Sequence, residues 1–365
     1  MHMADALLSP AVGVGFWAAS GTVLAISSSK VRSDPREYLV PLMGVLGAFV
    51  FAAMMINFTI PGTGSSGHIG GGLLLSILLG PYAAFVVIAS VLTVQALFFA
   101  DGGLLALGAN IFNLGVFPCF IGLPLIYRPL LKRAGALTFK RRMAAITVLA
   151  TVISLQLGAL GVVTQTQLSG ISSLPLSAFL LLMQPIHLAI GLIEGLATAT
   201  LIHFVREARP DLFVDDGATG MSSSPSKFPT KLIVGLGVLA LVTAGVFSWF
   251  ASSQPDGLEW SIARVTGRPE LDATESFVHM RLADFQKNLA LFPDYKFSFD
   301  AKDAVQEPTK QKEGATTAPE AWPAVDAGTS LAGVVGGLAT LSLVTLVAYL
   351  LRRRRKEAVS VGTGD

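Results

Sequence analysis

The chain has 365 residues, of which 52% are apolar and 14% charged, with a formal net charge of +2. Uncharged apolar runs of about 20 residues recur, which excludes a disordered chain and points to a polytopic helical membrane protein. The small positive charge gives no nucleic-acid footprint, because the basic residues fall in loops and the tail, and the single Cys119, inside an apolar run, packs as a small hydrophobe.

In chain order, apolar runs predict spans near 10–28, 38–56, 81–99, 108–130, 142–164 and 181–204. A shorter run, 69–79, ends on Gly80-Pro81 and reads as a short span that turns back. Seven helices thus fill a core over residues 1–206. Residues 207–229, rich in Ser, Gly and Pro, read as a cytoplasmic linker. A second unit, 230–365, holds two further spans, 231–251 and 330–351, around a polar loop, 252–329. The predicted fold class is all-α: a seven-helix core plus two additional transmembrane helices. Gly44, Gly47, Ala48, Gly191 and Gly195 would let helices approach closely.

Charge sets the orientation. Lys30, Arg32 and Arg36, the 128–142 loop, the segment from Arg206 to Lys231 and the tail from Arg352 to Lys356 are rich in Lys and Arg, while the short loops 57–68, 100–107 and 165–180 carry none. The positive-inside rule then places the N-terminus outside and the C-terminus in the cytoplasm. The loop 252–329 is external by this count. With 13 acidic and 8 basic residues, it reads as a solvated linker whose 302–328 tract, rich in Thr, Pro, Ala, Glu and Lys, is flexible, and whose His279 is solvated.

The opening Met1-His2-Met3-Ala4-Asp5 lacks the basic start of a secretory leader, since the first Lys or Arg is Lys30. The expectation is a mature chain with a free Met1 amine one residue before an imidazole. The amine and the deprotonated His2 amide nitrogen close a five-membered ring on a metal ion, and the amide nitrogen and His2 Nδ1 close a six-membered one. Three nitrogens in a plane favour Ni(II) or Cu(II). The alternative is an ordinary second residue on a frayed terminus. His68, in the glycine-rich outside loop Pro61-Gly62-Thr63-Gly64-Ser65-Ser66-Gly67-His68, lies on the same side of the membrane and could supply a fourth nitrogen; otherwise it is a surface residue of a flexible loop. Asn110 and Asn113 share a helix face three residues apart, and His187 and Glu194 share one seven apart. Such groups within spans either line a site or join helices.

Several separated motifs now resemble one family. Met1-His2-x-x-Asp5 with Leu8-Ser9-Pro10, the block from Gly80-Pro81-Tyr82 through Asp101-Gly102-Gly103 to Gly108-Ala109-Asn110-Ile111-Phe112-Asn113, and residues 184–196 are similar to the substrate-binding membrane component of nickel/cobalt energy-coupling-factor transporters, the NikM/CbiM type. Pro255-Asp256-Gly257-Leu258-Glu259 resembles that component's small accessory subunit, here fused to the same chain. The resemblance implies a square-planar site from the amine of Met1, the backbone and ring nitrogens of His2, and His68. Asp5, Ser66, Asn110, Asn113, His187 and Glu194 are candidates for its surroundings. Met3-Ala4-Asp5-Ala6 departs from the Ile-Pro-Asp-Gly frequent in relatives, which touches loop shape rather than ligands. The implied role is capture of Ni(II), or alternatively Co(II), outside the inner membrane and delivery inward. With no G-x-x-x-x-G-K-[ST] loop in the chain, the energy would come from ATPase subunits through a transmembrane coupling protein. The metal is cargo and no cofactor is expected. Two readings from other classes are a serine hydrolase using Ser66 with His187 and a metal sensor.

Overall fold

The computed structural model describes residues 2–133, 139–210, 212–213, 229–271, 276–296 and 323–361. Helix α1, Pro10–Ser33, and α4, Pro81–Phe99, each begin on a proline, whose missing N–H costs nothing in a first turn. Between them lie α2, Leu39–Met54, and the short α3, Gly72–Leu79. Gly80, at φ 85°, breaks α3 from α4. Helix α5, Leu107–Lys132, winds in a wide π-type register over Phe112–Tyr127. Pro118 and Pro124 sit inside that stretch and remove two ladder donors, which favours the departure from α geometry. Helices α6, Phe139–Ser169, and α7, Leu176–Ala208, complete the core, and Gly191 and Gly195 of α7 meet the backbone of Val152 and Val148 of α6.

The second unit contributes α8, Thr230–Gly245, α9, Gly257–Thr266, α10, Phe277–Leu289, and α11, Ala327–Val361. Among the described helices, α1, α4, α5, α6, α7 and α11 are long and apolar enough to cross a membrane, while α2 and α8, at 16 residues each, are apolar but shorter. Helix α4 is apolar on every face and occupies the centre.

Two expectations need correction. The fold is not purely helical: β1, Phe58–Ile60, pairs antiparallel with β2, Ser65–Gly67, across a turn in which Gly62 and Gly64 take positive φ. The polar segment after α8 is not a plain solvated linker either, because α9 and α10 fold back onto the core. Of the tract expected to be flexible, residues 302–322 lie outside the described residues, as do 214–228 of the linker.

Helix α11 docks against α1, α2 and α4 through small residues. Gly44 and Gly47 of α2 face Leu341, Val344 and Thr345, and Gly336 lies against the rings of Phe51 and Phe99. A leucine at Gly336 has no room, whereas nothing lies within 4 Å of a Cβ at Gly237 on α8. Gly336→Leu is therefore expected to cost about 1–3 kcal/mol by overpacking, read as a lower unfolding temperature of the full chain in detergent, with Gly237→Leu close to wild type. Equal behaviour of the two variants would refute this docking.

Candidate metal centre

The start of the chain is pinned at Met3, which is completely buried. Its N–H donates to Asn110 Oδ1 at 2.8 Å, and its carbonyl accepts from Asn110 Nδ2 at 3.1 Å and from the Gly103 N–H at 2.9 Å. The next turn is held by Asp5, whose Oδ1 accepts from the Ala106 N–H. Gly103 packs so tightly on that carboxylate that any side chain there would overlap it. Trp17 and Ser20 of α1 donate to the Leu104 and Gly108 carbonyls and fix the same loop from the other side.

The glycine-rich loop turns inward rather than out to water. Ser65, Ser66 and Gly67 are buried and His68 is only 8% exposed. Gly67 rests on Ile190 of α7, where a Cβ would come within 2.5 Å of the Ile190 side chain. Beyond His68, the carboxylate of Glu194 accepts from the successive N–H groups of Gly70 and Gly71, at 3.0 and 2.9 Å. Gly71 adopts φ 70°, so two adjacent amides aim at one anion, and the loop is anchored to α7.

These two anchors bring His2 and His68 together. Their rings stack with centres 5.0 Å apart and planes 10° from parallel. Two imidazoles on adjacent corners of a square plane, each bonded at about 2.1 Å, have centres roughly 4–5 Å apart. The spacing fits shared coordination. The tilt does not, because a metal lies in the plane of each imidazole it binds, and His2 Nδ1 instead faces Asp101 Oδ1 at 3.1 Å. Closing the predicted chelate would require the His2 ring to turn off Asp101. Burial pushes the His68 imidazole well below its ordinary range, so it presents a neutral nitrogen. Loss of solvent would raise the Asp101 carboxyl, but the His2 imidazole and the Tyr295 hydroxyl outweigh it and hold the acid well below the carboxylate range. Among the described residues no three His, Cys, Asp or Glu side chains cluster as a metal site. Any ion between these rings would need main-chain or terminal donors, and Met1, the first predicted ligand, lies outside the described residues.

The other candidates take different places. Asn113 pairs in both directions with Gln165 of α6 and lies against the Met3 sulfur, so it joins α5 to α6 beside the buried Met3. Ser66 Oγ donates to the Gln254 and Pro255 carbonyls, and His187 Nδ1 is engaged by the Met183 carbonyl of its own helix. The hydrolase pairing of Ser66 with His187 is thus not formed, since both groups are committed to main chain. His279 is not solvated: it is 4% exposed, and its Nε2 donates to the Asp5 and Leu8 carbonyls at 3.1 and 2.9 Å.

Sequence reasoning missed the contribution of the second unit. The Pro255 carbonyl accepts from the Ser66 N–H at 2.8 Å, extending the hairpin by one bridge to Asp256. Asp256 caps α9 by accepting from the Leu258 and Glu259 N–H groups, and Glu259 returns a bond to the Asp256 N–H. This capping box is written as Asp-x-x-Glu in the sequence and is the signal that could have revealed α9. On the far side Tyr295 donates to Asp101 Oδ2 at 2.6 Å, and Gln286 donates to the Ala96 and Gly102 carbonyls. Burial, then the Asp101 charge, push the Tyr295 phenol well above its ordinary value, so it stays a donor.

Comparison with known proteins identifies the family. Residues 2–212 match the family described as the cobalt uptake substrate-specific transmembrane region, and residues 230–353 match the PDGLE domain. A protein of Archaeoglobus fulgidus assigned as a fused nickel transport protein is 37% identical over 60% of this chain and 70% of its own length. The fused nickel transport protein NikMN of Rhodobacter capsulatus is 30% identical over 66% of this chain and 71% of its own. A crystal structure of a truncated transition metal transporter, 30% identical, superposes on 57% of this chain and 99% of its own with a TM-score of 0.50. With a pinned N-terminal histidine, an inward histidine loop and a docked PDGLE segment in one polypeptide, the chain belongs to the family of cobalt uptake substrate-specific transmembrane regions.

Proposed function

We propose that the chain captures a divalent transition-metal ion, Ni(II) in preference to Co(II), at a planar site formed by the Met1 amine, the His2 amide and ring nitrogens, and His68, and delivers it across the membrane. The observation that carries this reading is the stacked His2–His68 pair, 66 positions apart in the chain and with ring centres 5.0 Å apart in space. A donor set of four nitrogens in a plane suits Ni(II), and both relatives above that carry the fused architecture are nickel transport proteins by name.

In this reading Asp101 is the partner of the His2 ring. It orients the imidazole before loading and compensates the ion's charge after it. The core is residues 1–206, with seven spans including the short α3, and the accessory unit is 230–365, with two spans flanking an outside segment and joined to the core by 207–229. The alternation of basic and Lys/Arg-free loops supports an outside N-terminus in the cytoplasmic membrane and a cytoplasmic C-terminus. The resemblance to energy-coupling-factor transporters supports coupling of the ion's movement to ATPase subunits through a transmembrane coupling protein.

Titration of the purified chain with Ni(II) and Co(II) tests the site. One-to-one Ni(II) binding is expected with Met1 free, and loss of it when the amine is acetylated or when His2→Ala or His68→Ala is introduced. Binding that survives acetylation would sink the chelate. Asp101→Asn, which keeps the shape and removes the charge, should weaken Ni(II) binding about 10–100-fold; unchanged affinity would remove Asp101 from the site.

Acid should weaken binding. Protons compete with the metal for its nitrogen donors, so affinity falls as the solution is acidified. His68 acts in the same direction. Its folded value lies below the ordinary imidazole value, so the closed loop is favoured above about pH 6.5 and loses that advantage as pH falls toward the depressed value. Equal affinity at pH 7.5 and pH 5 would contradict this coordination.

A further inference from the structure

We propose that His187 is a transfer ligand, whose Nε2 attacks the metal held at the planar site and opens that site for exchange. The inference rests on the coordination proposed above and adds a residue to it. His187 stands on α7 and is 1% exposed. Its Nδ1 lies 2.8 Å from the Met183 carbonyl, one turn earlier. A carbonyl only accepts, so Nδ1 carries the ring proton and the neutral ring keeps its lone pair on Nε2. That Nε2 is buried with no hydrogen-bond partner. Metal-binding histidines commonly hold this pose, the second nitrogen fixed to a backbone carbonyl and the first left as a donor.

The lone pair has somewhere to go. His187 lines a cavity of about 10 Å³ with His68, Asp256 and Gly257, room for roughly one water-sized occupant. Gly257 closes the far side, and a Cβ there would lie 3.1 Å from His187 Cε1 and 3.0 Å from Ile190 Cδ1. The glycine of the accessory motif therefore leaves the ring its space. A square-planar ion of this type exchanges ligands associatively, with an incoming donor adding along the open axis before any bond breaks. Here the Nε2 lone pair forms the new metal–nitrogen bond. The His2 amide nitrogen then departs with its own electron pair and takes a proton from solvent. No oxidation or reduction is involved.

Such a ligand speeds loading and release together, which separates it from a structural histidine. The full chain with a free N-terminus is loaded with Ni(II), and loss of the ion into excess EDTA is followed by the absorption of the planar complex. Alongside wild type the variants are His187→Gln, which removes the donor, and Gly257→Ala, which crowds the same ring from the accessory side. Release by His187→Gln should slow about tenfold or more, with loading slowed to match, so that Kd moves far less than either rate; Gly257→Ala should slow both in the same sense. If His187→Gln does not fold, the Gly257→Ala rates decide. Release at the wild-type rate in the folded variants overturns the proposal, and so does a loss of affinity accompanied by a lower unfolding temperature and an unchanged loading rate. Wild-type chain that shows no one-to-one binding overturns the planar site as well, whereas intact binding with unaltered rates overturns the transfer ligand alone.

Discussion

A chain terminus frays unless something orders it, and here the ordering contact is the pair of hydrogen bonds between the Asn110 side chain and the Met3 backbone. Both functions of the amide are used, and the partners are buried main-chain groups that water cannot reach. Removing the amide would orphan an N–H and leave a carbonyl with one partner, a cost of about 1–3 kcal/mol per unsatisfied group. Because residue 3 is fixed, residue 2 has one direction to leave in, and its imidazole arrives between Asp101 and His68. A site that draws on main-chain nitrogen cannot be adjusted by choosing a rotamer; the frame has to deliver the backbone itself. Gly103, Trp17 and Ser20 act on that frame by holding the 103–108 loop against α1.

The second histidine is delivered by a different device. The hairpin needs glycine where φ is positive and where Ile190 leaves no room for a side chain, and Glu194 then anchors the two amides that follow His68. The accessory segment reads as a set of contacts with this loop. The Pro255 carbonyl accepts from Ser66, Asp256 and Glu259 cap α9, Gly257 fits against His187, and Leu258 is buried. Each residue of the Pro255–Glu259 motif thus has a physical task. On the opposite side a chain of bonds runs from Gln95 through Tyr295 to Asp101 and on to His2. Both proposed histidine ligands therefore lie within a few bonds of the accessory unit.

Much of this was legible in the sequence for one reason: the information was local. Apolar run length places α1, α4, α5, α6, α7 and α11, and the chelate we propose is suggested by two adjacent residues, Met1 and His2. Asn110 stood out as polar within an apolar run, yet its partner could not be named, because Met3 is 107 residues away and offers only backbone. Asp101, Tyr295 and Gln286 were invisible for the same reason, since their bonds cross about 180–200 positions and nothing in a polar loop's composition separates a solvated residue from a docked one. His279 shows this most plainly, buried against two carbonyls of the N-terminal turn from within a segment whose charge suggests solvent. The wide turn of α5 was foreshadowed by Pro118 and Pro124, although proline alone does not say whether a helix will kink, stop or widen.

The fusion itself follows from where these contacts fall. The bonds of Pro255 and Trp260 reach the hairpin, and those of Gln286, Leu291 and Tyr295 reach the end of α4 and the loop beyond it. All are hydrogen bonds, individually modest once water's competing bonds are counted. On a separate subunit they would have to overcome the translational and rotational cost of association as well as the ordering of their own segment. On one polypeptide, with α11 packed into the core by its glycines, the same contacts form at an effective concentration set by the tether. Contacts that are individually weak can therefore re-form without a search for their partner.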